Sequence, residues 1–117
     1  LLSDLDIRLT GLIASWLDME TTFHRSSDLS VEGTGDARLV AICQAIGATS
    51  YLSGPSARNY IDPGRFAAAG IELEYKTYGP YPTYGQISEP FEHAVSVLDL
   101  LFMKGPEATQ WIHAIHS

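Results

Sequence analysis

The spacing of apolar residues predicts three helices in the first 70 positions of the chain. In the first of them, apolar side chains recur every three or four residues, and Ser3 is placed to act as its N-cap. These side chains are Leu5, Leu9, Leu12, Ile13, Trp16 and Leu17. Residues 36–46 are predicted to form the second helix, with Gly47 just past its end. The third begins at Asp62-Pro63, an N-cap acid followed by proline, and continues to Gly70.

Three short segments have the residue pattern of strands. Residues 21–25 are a β-prone run, residues 49–52 are a short apolar run, and residues 71–76 alternate apolar and charged side chains. Strands that are joined through helices are normally parallel, with right-handed crossovers. The order helix-βαβαβ therefore predicts an α/β fold with a short parallel three-stranded sheet.

Two further helices are predicted to close the chain after a segment rich in tyrosine, proline and glycine. They cover residues 91–104 and 106–115, with Gly105-Pro106 as the break between them. The chain shows no internal repeat and no linker that would divide it. Residues 1–117 are therefore predicted to form a single α/β domain.

Composition and charge narrow the class of protein. The hydrophobic content of 45% is sufficient for a core, and the net charge of -7 argues against a nucleic-acid-binding surface, which is normally basic. No window approaches the roughly 18 consecutive apolar residues of a membrane span, and no signal peptide is visible. We expect a cytoplasmic protein whose partner is a small ligand rather than nucleic acid or a membrane. The single cysteine, Cys43, is predicted to be an inert core thiol.

Three loops, residues 26–35, 53–62 and 78–90, would lie at the carboxyl edge of this sheet, where α/β proteins bind ligands. The first two supply hydroxyl groups and two arginines, Arg25 and Arg58, which suit bidentate recognition of phosphate or carboxylate. Neither loop matches a Walker motif or GxGxxG. The alternative is structural: the serines cap turns, and Arg58 pairs with a surface acid. The candidate ligand-binding residues are Arg25, Ser26, Ser27, Glu32, Ser53, Gly54, Ser56, Arg58 and Tyr60.

Acidic and histidine side chains give further hypotheses, none of which predicts a metal site. Asp99 lies among leucines and is interpreted as a solvated or capping acid rather than a catalytic one. His113 and His116 have the i,i+3 spacing of metal ligands but lack a third ligand. His24 and His93 could each transfer a proton near neutral pH, and the alternative is that each is a structural or exposed histidine.

Tyrosines recur every three residues in the irregular segment, at Tyr78, Tyr81 and Tyr84. They could stack on a sugar ring or a base, or they could simply pack the loop. The sequence leaves both interpretations open.

Three segments of the chain resemble the WbqC-like family. They are "RSSDLSVEGTGDARLVAICQAIGATSYLSGPSARNYID", "AAGIELEY" and "SVLDLLFMKGPEA". The similarity covers nearly the whole chain but only the C-terminal half of a family member, and the QPxYxPWxGYF-like motif of the N-terminal half is absent. The family motif near SGPSGR-(D/K)-Y is matched from Ser53 to Tyr60, with Ala57 in place of a glycine and Asn59 in place of a charged residue.

The resemblance implies a cytoplasmic enzyme of transferase type in bacterial surface-polysaccharide biosynthesis. Such an enzyme would bind a small anionic metabolite or a nucleotide-activated sugar; the resemblance implies no particular cofactor. The alternative is a non-catalytic ligand-binding or assembly module. Its mark would be an apolar surface on the first helix, available to a second copy of the chain or to a missing N-terminal half.

Overall fold

The computed structural model describes residues 1–79 and 81–112, and these residues form two compact units. Unit 1 contains Leu1–Phe23 together with residues 81–112, and unit 2 contains His24–Gly79. Unit 1 is thus assembled from two segments that are far apart in the sequence. The assignment of residues 1–117 to a single domain stays a prediction, because compact units can belong to one domain or to two.

Unit 2 contains a parallel βαβ arrangement. Strand β1 (Ser50–Ser53) pairs with strand β2 (Glu72–Tyr75), in a register that sets Ser50 opposite Glu72 and Ser53 opposite Tyr75. Helix α2 (Gly35–Ala45) precedes β1, and helix α3 (Pro63–Ala68) connects the two strands. Short 3-10 helices η1 (Ser26–Asp28) and η2 (Pro55–Asn59) complete the unit. The predicted parallel pairing through a helix is confirmed.

The prediction of a third strand is wrong for the segment that was assigned to it. Residues 21–25 have no regular secondary structure and lead directly into η1. Strand propensity mainly reflects packing on a pleated, half-buried surface, whereas Phe23 is 55% exposed and the other four residues of this segment are exposed as well. The fold is mixed α/β with a two-stranded parallel sheet in the described residues.

The core of unit 2 is built around Phe66, whose side chain is completely buried. Its ring stacks on Tyr51 with the centroids 5.3 Å apart, which joins helix α3 to strand β1. Cys43 lies in the same cluster at 4% exposure, so the predicted core position of this thiol is confirmed. Burial raises the pKa of the Cys43 thiol, which keeps it protonated and unreactive near neutral pH.

The start of helix α3 follows its sequence signal and is also tied to helix α2. The Asp62 side chain accepts a hydrogen bond from the Gly64 amide at 2.9 Å, and Pro63 occupies the first helical position, as predicted. Asp36 accepts a hydrogen bond from the Asp62 amide at 2.9 Å and lies 3.4 Å from the Arg65 guanidinium. The two helices therefore share a polar junction at their N-terminal ends.

Unit 1 is helical. Helix α1 (Leu2–Trp16), helix α4 (Val97–Lys104) and the 3-10 helix η3 (Gly105–Trp111) supply its core, which centres on Leu17, Leu100 and Ala108. The prediction that Ser3 caps α1 is wrong, because α1 already begins at Leu2 and Ser3 lies inside the helix.

The last two predicted helices are shorter than the sequence indicated. Helix α4 begins at Val97 rather than at residue 91, because the Ser96 hydroxyl accepts from the Leu98 amide at 3.2 Å and caps the helix there. The segment predicted as a helix over residues 106–115 is the 3-10 helix η3 where the structure describes it. Residues 113–115 lie outside the described residues.

Candidate functional site

Residues 53–60 lie at the carboxyl edge of the sheet in unit 2. Strands β1 and β2 end opposite each other at Ser53 and Tyr75, and the Lys76 amide donates to the Ser53 carbonyl at 2.8 Å. Gly54 follows β1 directly, and η2 begins at the next residue. The loop that follows β1 therefore starts where ligands of parallel sheets bind.

Arg58 stacks on the aromatic ring that ends the neighbouring strand. Its guanidinium carbon is 4.4 Å from the centre of the Tyr75 ring, and its side chain is exposed. Stacking uses the face of the guanidinium and leaves its in-plane N–H donors available. Within residues 1–79 and 81–112, no carboxylate forms an ion pair with Arg58. The alternative interpretation, in which Arg58 pairs with a surface acid, therefore finds no such acid among the described residues.

The 3-10 helix η2 presents alternate sides to the core and to solvent. Ala57 is buried at 3% exposure in the core of unit 2, whereas Ser56, Arg58 and Tyr60 are exposed. The candidate Ser53 is buried at the end of β1. The outward side of η2 is thus a polar surface beside the strand ends.

Gly54 has no structural need to be glycine. Its backbone is extended, with φ -69° and ψ 155°, and a Cβ added there would meet no heavy atom within 4 Å. A side chain is therefore compatible with the local fold, and a ligand could approach the backbone in the space left open.

The first candidate loop is organised by η1. Arg25 is the N-cap residue of this 3-10 helix, Ser26 and Ser27 begin it, and Glu32 lies exposed beyond it. The sequence placed this loop at the carboxyl edge because a strand was expected over residues 21–25, and that reason no longer holds. The grouping of Arg25 with Arg58 around one ligand stays a prediction.

Positive charge is concentrated in unit 2. Five of the seven lysine and arginine residues of the chain lie there, against six of its fourteen acidic residues. Arg38 donates to the Val31 carbonyl at 2.9 Å, and Arg65 pairs with Asp36 and Asp62, so both have structural partners. Arg58 differs from these two because the contact described for it is with the Tyr75 ring and not with a carboxylate or a carbonyl.

The tyrosine segment is divided between the two units. Tyr78 belongs to unit 2, whereas Tyr81 and Tyr84 belong to unit 1. The Tyr84 hydroxyl donates to Asp99 Oδ2 at 2.6 Å, and Gln86 donates to the same oxygen at 2.9 Å. Asp99 is therefore a half-buried acceptor rather than a solvated acid. Burial, and secondly the hydrogen bond to Asp99, raises the pKa of Tyr84, so its hydroxyl stays protonated.

Sequence reasoning missed two residues that organise these surfaces. Tyr75 was treated only as one of the apolar positions that alternate along residues 71–76, although a tyrosine at the end of one parallel strand can contact an arginine after the other. Gln86 was not singled out, and its side chain contacts both Asp99 and the Glu92 backbone. No local pattern marks Gln86, because its partners follow six and thirteen residues later.

The part of the chain that the structure describes meets the requirements neither of a metal site nor of a membrane-spanning helix. In that part, no group of three histidine, cysteine, aspartate or glutamate side chains could hold a metal ion. The pair His113 and His116 lies outside it. No helix in residues 1–79 or 81–112 is long and apolar enough to cross a membrane.

Comparison with known proteins supports the resemblance seen in the sequence. The model of the WbqC-like protein family matches residues 1–111. A relative from Mycobacterium tuberculosis (strain ATCC 25618 / H37Rv), described as uncharacterized protein Rv1507c, is 40% identical over 111 residues. The match covers 95% of this chain and 48% of the relative, so the chain spans about half the length of that protein. No solved structure matches the chain.

Proposed function

Since this chain belongs to the WbqC-like protein family, we propose that unit 2 binds the anionic group of a small metabolite at Arg58. The metabolite class is a nucleotide-activated sugar or a similar phosphate-bearing compound. The whole protein would be a transferase-type enzyme of bacterial surface-polysaccharide biosynthesis. The observation that supports this proposal most is the exposed Arg58 guanidinium, stacked on Tyr75 at the carboxyl edge of a parallel sheet.

The geometry explains how such a site would act. The Tyr75 ring restricts the orientation of the guanidinium, so less side-chain entropy is lost when an anion binds. The in-plane N–H groups of Arg58 can donate two parallel hydrogen bonds to one phosphate. The exposed Ser56 hydroxyl offers a further donor on the same loop, and the space beside Gly54 lets a ligand approach the backbone. A phosphate held in this way would have part of its negative charge neutralised, which would also stabilise a departing nucleoside diphosphate.

The binding site can be located by chemical-shift mapping of the full ¹⁵N-labelled chain. We expect UDP-glucose, GDP-mannose or inorganic phosphate to shift the amide signals of Gly54, Ser56 and Arg58 and the Arg58 Nε–H signal, in a saturable way. The shifts should weaken as salt is added, because the attraction is electrostatic and exposed. Shifts confined to other residues, or no saturable shift with any of the three probes, would refute the proposed site.

A second candidate function is assembly, and the surface of helix α1 favours it. Exposed apolar residues recur along α1 at intervals of three and four, as in the a and d positions of a coiled coil. They are Leu2, Leu5, Leu9, Leu12 and Trp16, with exposures between 44% and 73%. This set, which we call the α1 stripe, differs from the buried side of the helix, where Ala14 lies. An apolar stripe of this kind normally marks a protein interface.

Association through the α1 stripe can be measured by sedimentation equilibrium. We expect the wild-type chain to self-associate as its concentration is raised, and the double substitution Leu5→Glu/Leu12→Glu to keep it monomeric, because buried charges oppose packing. The matched control is Ile7→Glu, an exposed apolar position on α1 outside the stripe, which should associate like the wild type. A wild-type chain that stays monomeric at high concentration would argue against assembly.

A further inference from the structure

Unit 1 contains a cavity of about 300 Å³ that the anion site does not use. Five of its eleven lining residues carry aromatic rings, and these are Tyr81, Tyr84, Phe91, His93 and Trp111. Ligand pockets in proteins typically measure about 300–1,000 Å³, so this cavity is at the small end of the range. It has room for one ring rather than for a complete nucleotide-activated sugar.

The aromatic wall is held in place by contacts within unit 1. Phe91 packs edge-to-face on Tyr84, with the ring centres 5.0 Å apart, and on His93 at 4.6 Å. The Trp111 indole N–H donates to the Thr83 carbonyl at 3.2 Å. Because these rings are already fixed, a ligand that binds between them has little ordering cost to overcome.

A small number of polar groups lie among the apolar surfaces of the cavity. The Ser96 oxygen accepts from the Leu98 amide, so its hydroxyl hydrogen remains available to a ligand. The Tyr84 hydroxyl donates to Asp99 and also has Gln86 as a hydrogen-bond partner, so it is held in a fixed position in the cavity wall. His93 is exposed and lines the cavity. Flat apolar faces with a few hydroxyl and imidazole groups match a pyranose ring, which has an apolar C–H face and hydroxyls at its edge.

The charge of unit 1 selects against an anionic ligand. Residues 1–23 and 81–112 contain eight of the fourteen acidic side chains and two of the seven basic ones. One of the two basic residues is Lys104, whose Nζ atom lies 4.6 Å from the centre of the Trp111 ring. We propose that this cavity binds a neutral pyranose ring. The site shares no residue with the proposed anion site and does not depend on it.

Trp111 provides a direct reporter for this binding. The chain has two tryptophans, so Trp16→Phe leaves Trp111 as the only indole. We expect a saturable change in its emission when neutral methyl pyranosides of glucose, galactose, mannose, rhamnose and N-acetylglucosamine are titrated into the full chain. At least one of the five should bind, and glucose 6-phosphate should bind more weakly than methyl glucoside because of the negative charge of unit 1.

Two substitutions distinguish binding in the cavity from binding elsewhere. Val95 lines the cavity, so Val95→Phe should fill part of it and weaken sugar binding tenfold or more. The matched control is Leu98→Phe, because Leu98 is similarly exposed on the adjoining helix and does not line the cavity. Its affinity for the sugar should lie within twofold of that of the Trp16→Phe parent. The same is expected for Arg58→Ala. The proposal is overturned if no pyranoside gives a saturable change, if Val95→Phe binds as tightly as the parent, or if uridine or adenosine binds in preference to all five sugars.

Discussion

Replacing Phe66 with alanine is expected to lower the free energy of unfolding by about 3–5 kcal/mol, the usual cost of removing a buried aromatic side chain. Phe66 is completely buried and stacks on Tyr51, so its removal leaves a cavity between helix α3 and strand β1. A small domain is stable by only about 5–15 kcal/mol, so this loss is a large part of the total. Urea denaturation followed by circular dichroism measures it directly.

The matched control is Phe102→Ala, because Phe102 is 81% exposed. Its removal should change the free energy of unfolding by less than about 0.5 kcal/mol. If the two alanine variants unfold at the same urea concentration, Phe66 does not anchor the core of unit 2. The same result would also mean that packing on Phe66 does not position β1 and the loop after it.

Strong local signals allowed much of unit 2 to be predicted. Asp62-Pro63 identified the start of helix α3, because a capping carboxylate and a proline each satisfy a requirement of the first helical turn. The alternation along residues 71–76 identified β2, because side chains of a strand point to opposite faces in turn. The parallel pairing then followed from the helix between the strands.

Other features depend on contacts that no local pattern encodes. The β-prone residues 21–25 needed a neighbouring strand and a packing surface to become a strand. In the residues that the structure describes, the sheet consists of β1 and β2, and the side chains of residues 21–25 are exposed. The division into two units arises because residues 1–23 pack with residues 81–112, which are distant in the sequence. Ser96 could have been recognised as a cap, yet the apolar spacing that continues back to Phe91 concealed the start of helix α4.

The position of the candidate site in the fold could be predicted from the sequence, but its side-chain contacts could not. Placing the loop after β1 at the carboxyl edge required only the parallel topology. The contact between Arg58 and Tyr75 also required the register that sets Ser53 opposite Tyr75, and alternation alone does not determine register. The first loop was predicted to lie at this edge because a strand was predicted over residues 21–25. That strand does not form, so the sequence could not predict where the first loop lies relative to Arg58.

The second large effect concerns affinity. Replacing Arg58 with alanine is expected to weaken the binding of UDP-glucose at least tenfold, because a charge-assisted hydrogen bond is worth about 1.5–3 kcal/mol and each 1.4 kcal/mol is a factor of ten. The free energy of unfolding should fall by less than about 1 kcal/mol, since only an exposed contact with Tyr75 is lost. Arg58→Lys should recover part of the affinity, because lysine lacks the planar pair of donors.

Calorimetric titration of Arg58→Ala and Arg65→Ala with UDP-glucose, with urea denaturation of both, determines whether Arg58 binds the anionic group. Each substitution removes one positive charge from unit 2, but Arg65 lies near Asp36 and Asp62, whereas Arg58 stacks on Tyr75. We expect Arg58→Ala to lose affinity with little loss of stability, and Arg65→Ala to keep the wild-type affinity. An anion site at Arg58 is refuted if the wild type and Arg58→Ala bind UDP-glucose equally, if the wild type does not bind it, or if Arg58→Ala loses only stability.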